Sequence, residues 1–578
     1  MVPESPLQLL PTHVVRAIVN HIVAETHIRS DFLVRYDGAQ VELRAYRGLL
    51  RPLLGTCDNF RQVAYPLYCR YLTMELNRDA YSKYVTQYAS TGCLRVGRSL
   101  PEYLGHPTHH LAKELDIEFS VKGLFSGMVP KMLSCMPYKH CAFPMAYKLT
   151  IRIVADKSDQ DGAIEESDFE ANVGSFVQWV TRALPKVSEV WVQAKTYEGP
   201  FDMDGQHFGN LVSQLFRLVR FVRVDLLHKK DVPLQLQLAD HRDLVHIGCH
   251  NREDLASFVL LARQCAQTLQ YLDLYFDQPD GLVSLIQMAN NDFVSYPCLH
   301  FLKLCGHFEG NWLQRPAFTG AVPFPALRRA LLLVDYPFGD DVLFRGNAAT
   351  LEVLRLQLDS VGVSILTEHN VFTPTSHPKL VYVKTGYLGP APGAFETPTM
   401  FLQFLLSIGP RAPVRDAQLT AYGAELSPAL SLLGSCKNIR VLMLPCVHPQ
   451  LLDVLTLIKS LPLLSDLTMS SVVRELEVAG VDDGELPAYL IANYSLLSKR
   501  FGSLHWDYIP YEYDPNMALL AEYALLLALV CPNFSLVTLC RIKVDAYEQE
   551  LEKVIASDKF KEHASGLQRL RVTQHSRY

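Results

Sequence analysis

Residues 451–469 read LLDVLTLIKSLPLLSDLTM. The first ten place leucine, valine and isoleucine at helical spacing, and Pro462 stops that helix. Leu464-Leu467-Met469 then follow as apolar, two residues, apolar, one residue, apolar, the pattern of a half-buried strand. The same helix–stop–strand order is written in FVQWVTRALPKVSEVWV (176–192), LSLLGSCKNIRVLML (430–444) and LLLALVCPNFSLVTL (525–539). Pro185 and Pro532 again mark helix ends. The bare cadence also occurs at Phe221-Val224-Leu226, Leu244-Ile247-Cys249, Leu269-Leu272-Leu274, Leu299-Leu302-Leu304, Leu351-Leu354-Leu356, Phe501-Leu504-Trp506 and Leu567-Leu570-Val572. In a chain that is 49% apolar a single match arises by chance at about one position in eight, so the weight lies in the repeated flanks. A strand that recurs every few dozen residues predicts a solenoid of stacked units, an architecture mostly used to hold other proteins.

With weaker copies at 327, 380 and 414 included, the cadences from Val187 onward start 23 to 37 residues apart. A regular leucine-rich repeat is tighter, at about 20–29 residues, and carries an asparagine after its strand. Most copies here lack it, as in Leu274-Tyr275-Phe276-Asp277. The expected fold class is α/β: a small N-terminal helical module, then an irregular leucine-rich-repeat-like solenoid, or horseshoe. Ala146-Leu149-Ile151 in MAYKLTIRIV (145–154) reads as its first strand, and the array spans 146–573. Residues 77–145 read as a linker and N-terminal capping region, with a helix over 80–89 and the loop GHPTHH (105–110).

Composition narrows the function. The chain has 578 residues, a net charge of −6 and thirteen cysteines. Its lysines and arginines are scattered, which argues against nucleic acid. The cysteines sit mostly in apolar contexts without CxxC pairs, and the N-terminus lacks a signal-peptide pattern. Buried free thiols in a reducing compartment, cytoplasmic and/or nuclear, are expected. The most apolar segment, ALLAEYALLLALV (518–530), is too short to span a bilayer and reads as a buried helix, so no membrane partner is expected.

Chemistry-bearing motifs are absent. No Gly-rich phosphate loop, GxSxG elbow or HExxH occurs. His106, His109 and His110 lack Cys or carboxylate companions. The acidic run DKSDQDGAIEESD (156–168) lacks a calcium-loop pattern. The chain is expected not to be an enzyme and to use no cofactor or metal.

Residues 7–76 read differently from the array. Leu10-Pro11 opens an amphipathic helix, with Thr12 as N-cap and Val14, Val15, Ile18 and Val19 on its apolar face. A second apolar block, LLRPLLGTCDNFRQVAYPLYCRYLTMEL (49–76), is helical in pieces interrupted at Pro52 and Pro66. This segment resembles an F-box: a Leu-Pro helix start, a Cys-x-x-aromatic-Arg (Cys57 to Arg61) and a closing apolar strand, LTMEL. Residues 26–45 separate the two blocks, more than that family usually places there. The whole layout resembles the F-box/leucine-rich-repeat proteins, in their divergent, fungal-type form.

That resemblance implies a substrate-receptor subunit of an SCF-type ubiquitin ligase, joined through the small adaptor subunit to the cullin complex. The adaptor contact would be helix-in-groove, with Leu10, Pro11, Val14, Ile18, Leu53, Leu54, Phe60 and Val63 as candidates. The alternative is a non-catalytic interaction scaffold whose N-terminal block merely caps the solenoid. In either case the strand residues between the buried ones face outward on the concave side and nominate the surface for an unknown target protein. Trp191, Arg223, Tyr271, Tyr275, Phe301 and Arg355 have the aromatic and arginine character of hot spots.

Overall fold

The computed structural model describes residues 10–19, 57–68, 71–76, 87–88, 93–95 and 111–120, scattered positions over 123–133, and residues 143–574 except 155–168, 196–204, 220, 227–243, 250–254, 277–278, 307–314, 335, 373–375, 389–403, 405–413, 421–432, 445–449, 471–475, 477, 479, 495–496, 508–515 and 541. The chain divides into two compact units, Met1–Tyr275 and Phe276–Tyr578. It is a mixed α/β protein, with parallel sheet and several helices.

In unit 1, β1 (Tyr71–Leu76) pairs in parallel with β3 (Cys93–Arg95) and β4 (Glu114–Ser120), and β2 (Gln87–Tyr88) runs antiparallel to β3. From β4 onward each strand pairs in parallel with the next: β5 (Lys148–Val154), β6 (Glu189–Lys195), β7 (Phe221–Leu226), β8 (His246–Cys249) and β9 (Tyr271–Phe276). Unit 2 repeats this with β10 (Phe301–Gly306), β11 (Arg329–Leu333), β12 (Val353–Leu358), β13 (Tyr382–Leu388) and β14 (Val414–Thr420). It continues through β15 (Val441–Leu444), β16 (Asp466–Ser470), β17 (Ser503–Asp507), β18 (Leu536–Cys540) and β19 (Arg571–Gln574).

The cadence supplies the core. Leu464, Leu467 and Met469 are buried, as are Phe501, Leu504 and Trp506, and Phe534, Val537 and Leu539. The final copy is incomplete, with Leu567 buried but Leu570 and Val572 only half-buried. The helix Met517–Val530 is buried nearly all round, as its unbroken apolar sequence requires. No helix among the described residues is long and apolar enough to cross a membrane.

Several strands are entered through one recurring turn. The helices Phe169–Ala183, Leu451–Ser460 and Met517–Val530 end two residues before Pro185, Pro462 and Pro532. The residue preceding each proline then accepts a hydrogen bond from the residue three further on: Leu184 from Val187 at 3.1 Å, Leu461 from Leu464 at 3.0 Å, Cys531 from Phe534 at 3.1 Å. Proline's fixed φ suits the second position of such a turn. The same turn forms at Phe143-Pro144, Tyr296-Pro297, Phe324-Pro325 and His377-Pro378. Its last residue is the first apolar residue of the cadence, so turn and core fix each other's register.

Several sequence expectations are corrected. The sheet begins before residue 146, at β1 and β4: Leu115, Ile117 and Phe119 are buried in alternation, a strand in a segment taken as poorly periodic. Within the segment 80–89 expected to be helical, Gln87–Tyr88 is a strand. The first helix spans 12–19 with the Pro11 carbonyl accepting from Val15 at 3.1 Å, so Thr12 is its first helical residue rather than its cap. The helix Asp58–Tyr68 runs through Pro66, which stands in its last turn and removes a single backbone hydrogen bond there.

Candidate binding face

On several of the described strands, such as β4, β5 and β12, the residues between the buried ones form a second, largely polar side. In unit 1, matched register places Glu114, Lys148 and Glu189 in one row across β4, β5 and β6. Lys148 lies 3.8 Å from Glu114 and 3.4 Å from Glu189, and its ammonium stands 5.4 Å from the centre of the Trp191 ring. One turn of the pleat further on, Arg152 pairs with Asp116 at 2.6 Å while almost fully buried. These cross-strand pairs alternate in sign, so this face is largely self-neutralised.

Unit 2 differs. Arg329 is paired in register with Phe301, and Arg355 with Lys384, which in turn is level with Asp416. Between Val383 and Lys384 the pairing slips, because β14 carries one extra residue. That bulge puts two consecutive charged residues beside one ring. Arg415 stands 5.9 Å from the centre of Tyr382, and the Tyr382 hydroxyl donates to Asp416 Oδ2 at 2.7 Å. Burial raises the pKa of Asp416, opposed by the Tyr382 hydrogen bond and by the charges of Lys384 and Arg355.

Further along, Asp466 accepts from Ser465 at 2.6 Å and from Ser503, and His505 Nε2 lies 3.9 Å away. Burial would raise Asp466, but the nearby His505 and the hydrogen bonds from Ser465 and Ser503 carry it below the ordinary carboxylate value. Ser503 Oγ is 3.2 Å from the same His505 nitrogen. An activated serine needs its carboxylate on the opposite ring nitrogen. Here carboxylate and hydroxyl share one side, so the group is a satisfied acid rather than a nucleophile. Among the described residues no His, Cys, Asp and Glu groups gather as a metal site. Burial pushes the Cys436 thiol up to about 11 and Cys531 up to about 12, which leaves both protonated at neutral pH.

Of the nominated target-face residues, Trp191, Tyr271, Tyr275, Phe301 and Arg355 are all half-buried on strands. Tyr271 stacks on His246 at 3.9 Å. Arg223 is level with Trp191 in β7, although its side chain is outside the described part. Within each unit these residues spread over several strands and rows instead of meeting in one cluster. Tyr382, Lys384, Arg415 and Asp416 were missed: Thr385 takes the third apolar place of the copy at 380, and the bulge disturbs the copy at 414.

At the N-terminus, Asn59 donates to the Leu10 carbonyl at 3.3 Å, so the helices over 12–19 and Asp58–Tyr68 meet. Val15, Val19, Phe60 and Ala64 are buried there. Leu10, Val14 and Val63 are half-buried, Pro11 is exposed, and Ile18 is 37% exposed. Phe60 is thus a core residue, while Val14 and Ile18 stand four apart on an incompletely covered helix face, and Leu10 precedes the helix. Leu53 and Leu54 lie outside the described residues.

No family model and no curated protein matches the chain.

Proposed function

We propose that the chain is an irregular leucine-rich-repeat-like solenoid working as the substrate-receptor subunit of an SCF-type ubiquitin ligase, in the cytoplasm and/or nucleus. The observation that carries this reading is the division of labour in the N-terminal helix. Val15 and Val19 are spent on the module's own core, and Val14 and Ile18, one helical turn apart, are left less covered and could meet a groove on the adaptor subunit. The contact between Asn59 and Leu10 supports it, since it joins the two blocks quoted for the F-box resemblance across the long segment between them. The target would lie on the polar strand faces, and no bond would be made or broken by this chain. The test is binding of the recombinant adaptor subunit to the full-length chain and to an Ile18→Glu variant.

One observation favours the second reading, an interaction scaffold with a cap. Strand β1, the closing strand of the F-box-like block, is hydrogen-bonded in register to β4 over its whole length, Tyr71 to Glu114 through Leu76 to Phe119. A cap must be joined to the sheet that it covers. A folded full-length chain that fails to bind the adaptor would favour this reading.

A further inference from the structure

The helix over 12–19 is tied down at its start. Its first turn is closed by the Pro11 carbonyl, which accepts from Val14 at 2.9 Å and from Val15 at 3.1 Å. The Leu10 carbonyl stands one residue outside that turn, and Asn59 Nδ2 donates to it at 3.3 Å across 49 residues of sequence. Asn59 is the second residue of the helix Asp58–Tyr68, so the two helices are joined at their N-terminal ends. Each helix also buries one apolar stripe, Val15 and Val19 in the first, Phe60 and Ala64 in the second. Apolar burial holds helices together but has no direction, whereas a hydrogen bond does. Val14 and Ile18 lie about 100° around the helix from Val15 and Val19, so a roll of that size would exchange the less covered pair for the buried one.

We infer that Asn59 is a positioning residue: its hydrogen bond to the Leu10 carbonyl sets the rotation of the helix over 12–19 and so presents Val14 and Ile18 to the adaptor subunit. The inference rests on the reading of that helix as the adaptor contact. A carbonyl only accepts, so the position needs a donor. Aspartate has the shape of asparagine without the N–H, and in the first turn its charge suits the helix N-terminus. Asn59→Asp therefore separates the contact to Leu10 from the stability of the helix Asp58–Tyr68 itself.

The test uses the full-length chain and two readouts. Hydrogen exchange, followed by mass spectrometry without adaptor, is expected to run about threefold or more faster over 12–19 in Asn59→Asp than in wild type. In calorimetric titration with the recombinant adaptor subunit, Asn59→Asp is expected to bind about three- to tenfold more weakly, the worth of one hydrogen bond. Asn59→Gln, which keeps an amide donor, is expected to lose less. In a cycle with Ile18→Ala, the double variant is expected to lose less than the product of the two single losses, because both changes act on one contact. A residue that only supported the fold would give losses that multiply. Asn59→Ala takes the place of Asn59→Asp should the latter melt early. Unchanged exchange over 12–19, wild-type affinity in Asn59→Asp, or losses that multiply would overturn the inference. Faster exchange in Asn59→Asp with no adaptor binding by wild type fails the ubiquitin-ligase reading and supports the positioning role. Adaptor binding that Asn59→Asp leaves unchanged fails this inference alone.

Discussion

The Tyr382 hydroxyl donates to Asp416 at 2.7 Å across two strands whose pairing slips by one residue beside them. The bulge turns Asp416 to the hydroxyl and Arg415 to the ring. Loss of the hydroxyl leaves a partly buried carboxylate one donor short. Tyr382→Phe is expected to cost about 1–2 kcal/mol, read as a lower urea midpoint, and Asp416→Asn to cost less because it remains an acceptor.

A stronger loss is expected at Asp359. Its carboxylate caps the helix Ser360–Glu368 by accepting from Gly362 at 2.8 Å and also holds Arg315, whose side chain is 6% exposed. Asp359→Ala removes the cap and strands a buried guanidinium, a loss of about 2–4 kcal/mol. Asp359→Asn keeps the cap and should fall between that and wild type in a thermal melt.

His377 makes stability depend on pH. Burial lowers its pKa from 6.5 to about 4. Between those values the unfolded chain binds the proton more readily than the folded one, so stability falls as pH drops from 6.5 towards about 4 and this contribution is flat below. Denaturation midpoints from pH 7 to pH 4 should show the slope, and His377→Leu should reduce it.

Turn and core can be weighed against each other in one repeat. Pro462→Ala loosens the unfolded chain and should cost about 0.5–1 kcal/mol. Leu467→Ala, in the strand that follows, opens a cavity at a fully buried position and should cost about 2–5 kcal/mol. If the two losses come out equal, the turn carries more than entropy.

The sequence makes the repeated strands legible because their inward residues are under one constraint, burial, which writes itself as leucine at fixed spacing. Where a second constraint intervenes, the pattern fades. Thr385 is buried in place of an aliphatic residue, and Arg415 interrupts β14 to serve Tyr382. The connection between β11 and β12 holds no helix among its described residues. Tyr336, Phe338 and Phe344 pack on one another around Asp340, whose carboxylate accepts from the Phe318 amide at 2.6 Å. Such aromatic packing has no period to read. The outward faces are harder still: strand alternation nominates every exposed position alike, and only the contacts across strands show that Lys148 stands over Trp191 and that Arg355 acts on Asp416.

The account's central claim is tested most directly by titrating the purified full-length chain with recombinant adaptor subunit by calorimetry. Truncation at residue 77 would remove β1 from the sheet, so the comparison is a point variant, Ile18→Glu, at an exposed position. The account predicts a micromolar or tighter complex that Ile18→Glu weakens about tenfold or more without a change in thermal melt. No complex with a well-folded full-length chain, or an affinity that Ile18→Glu leaves unchanged, would contradict it.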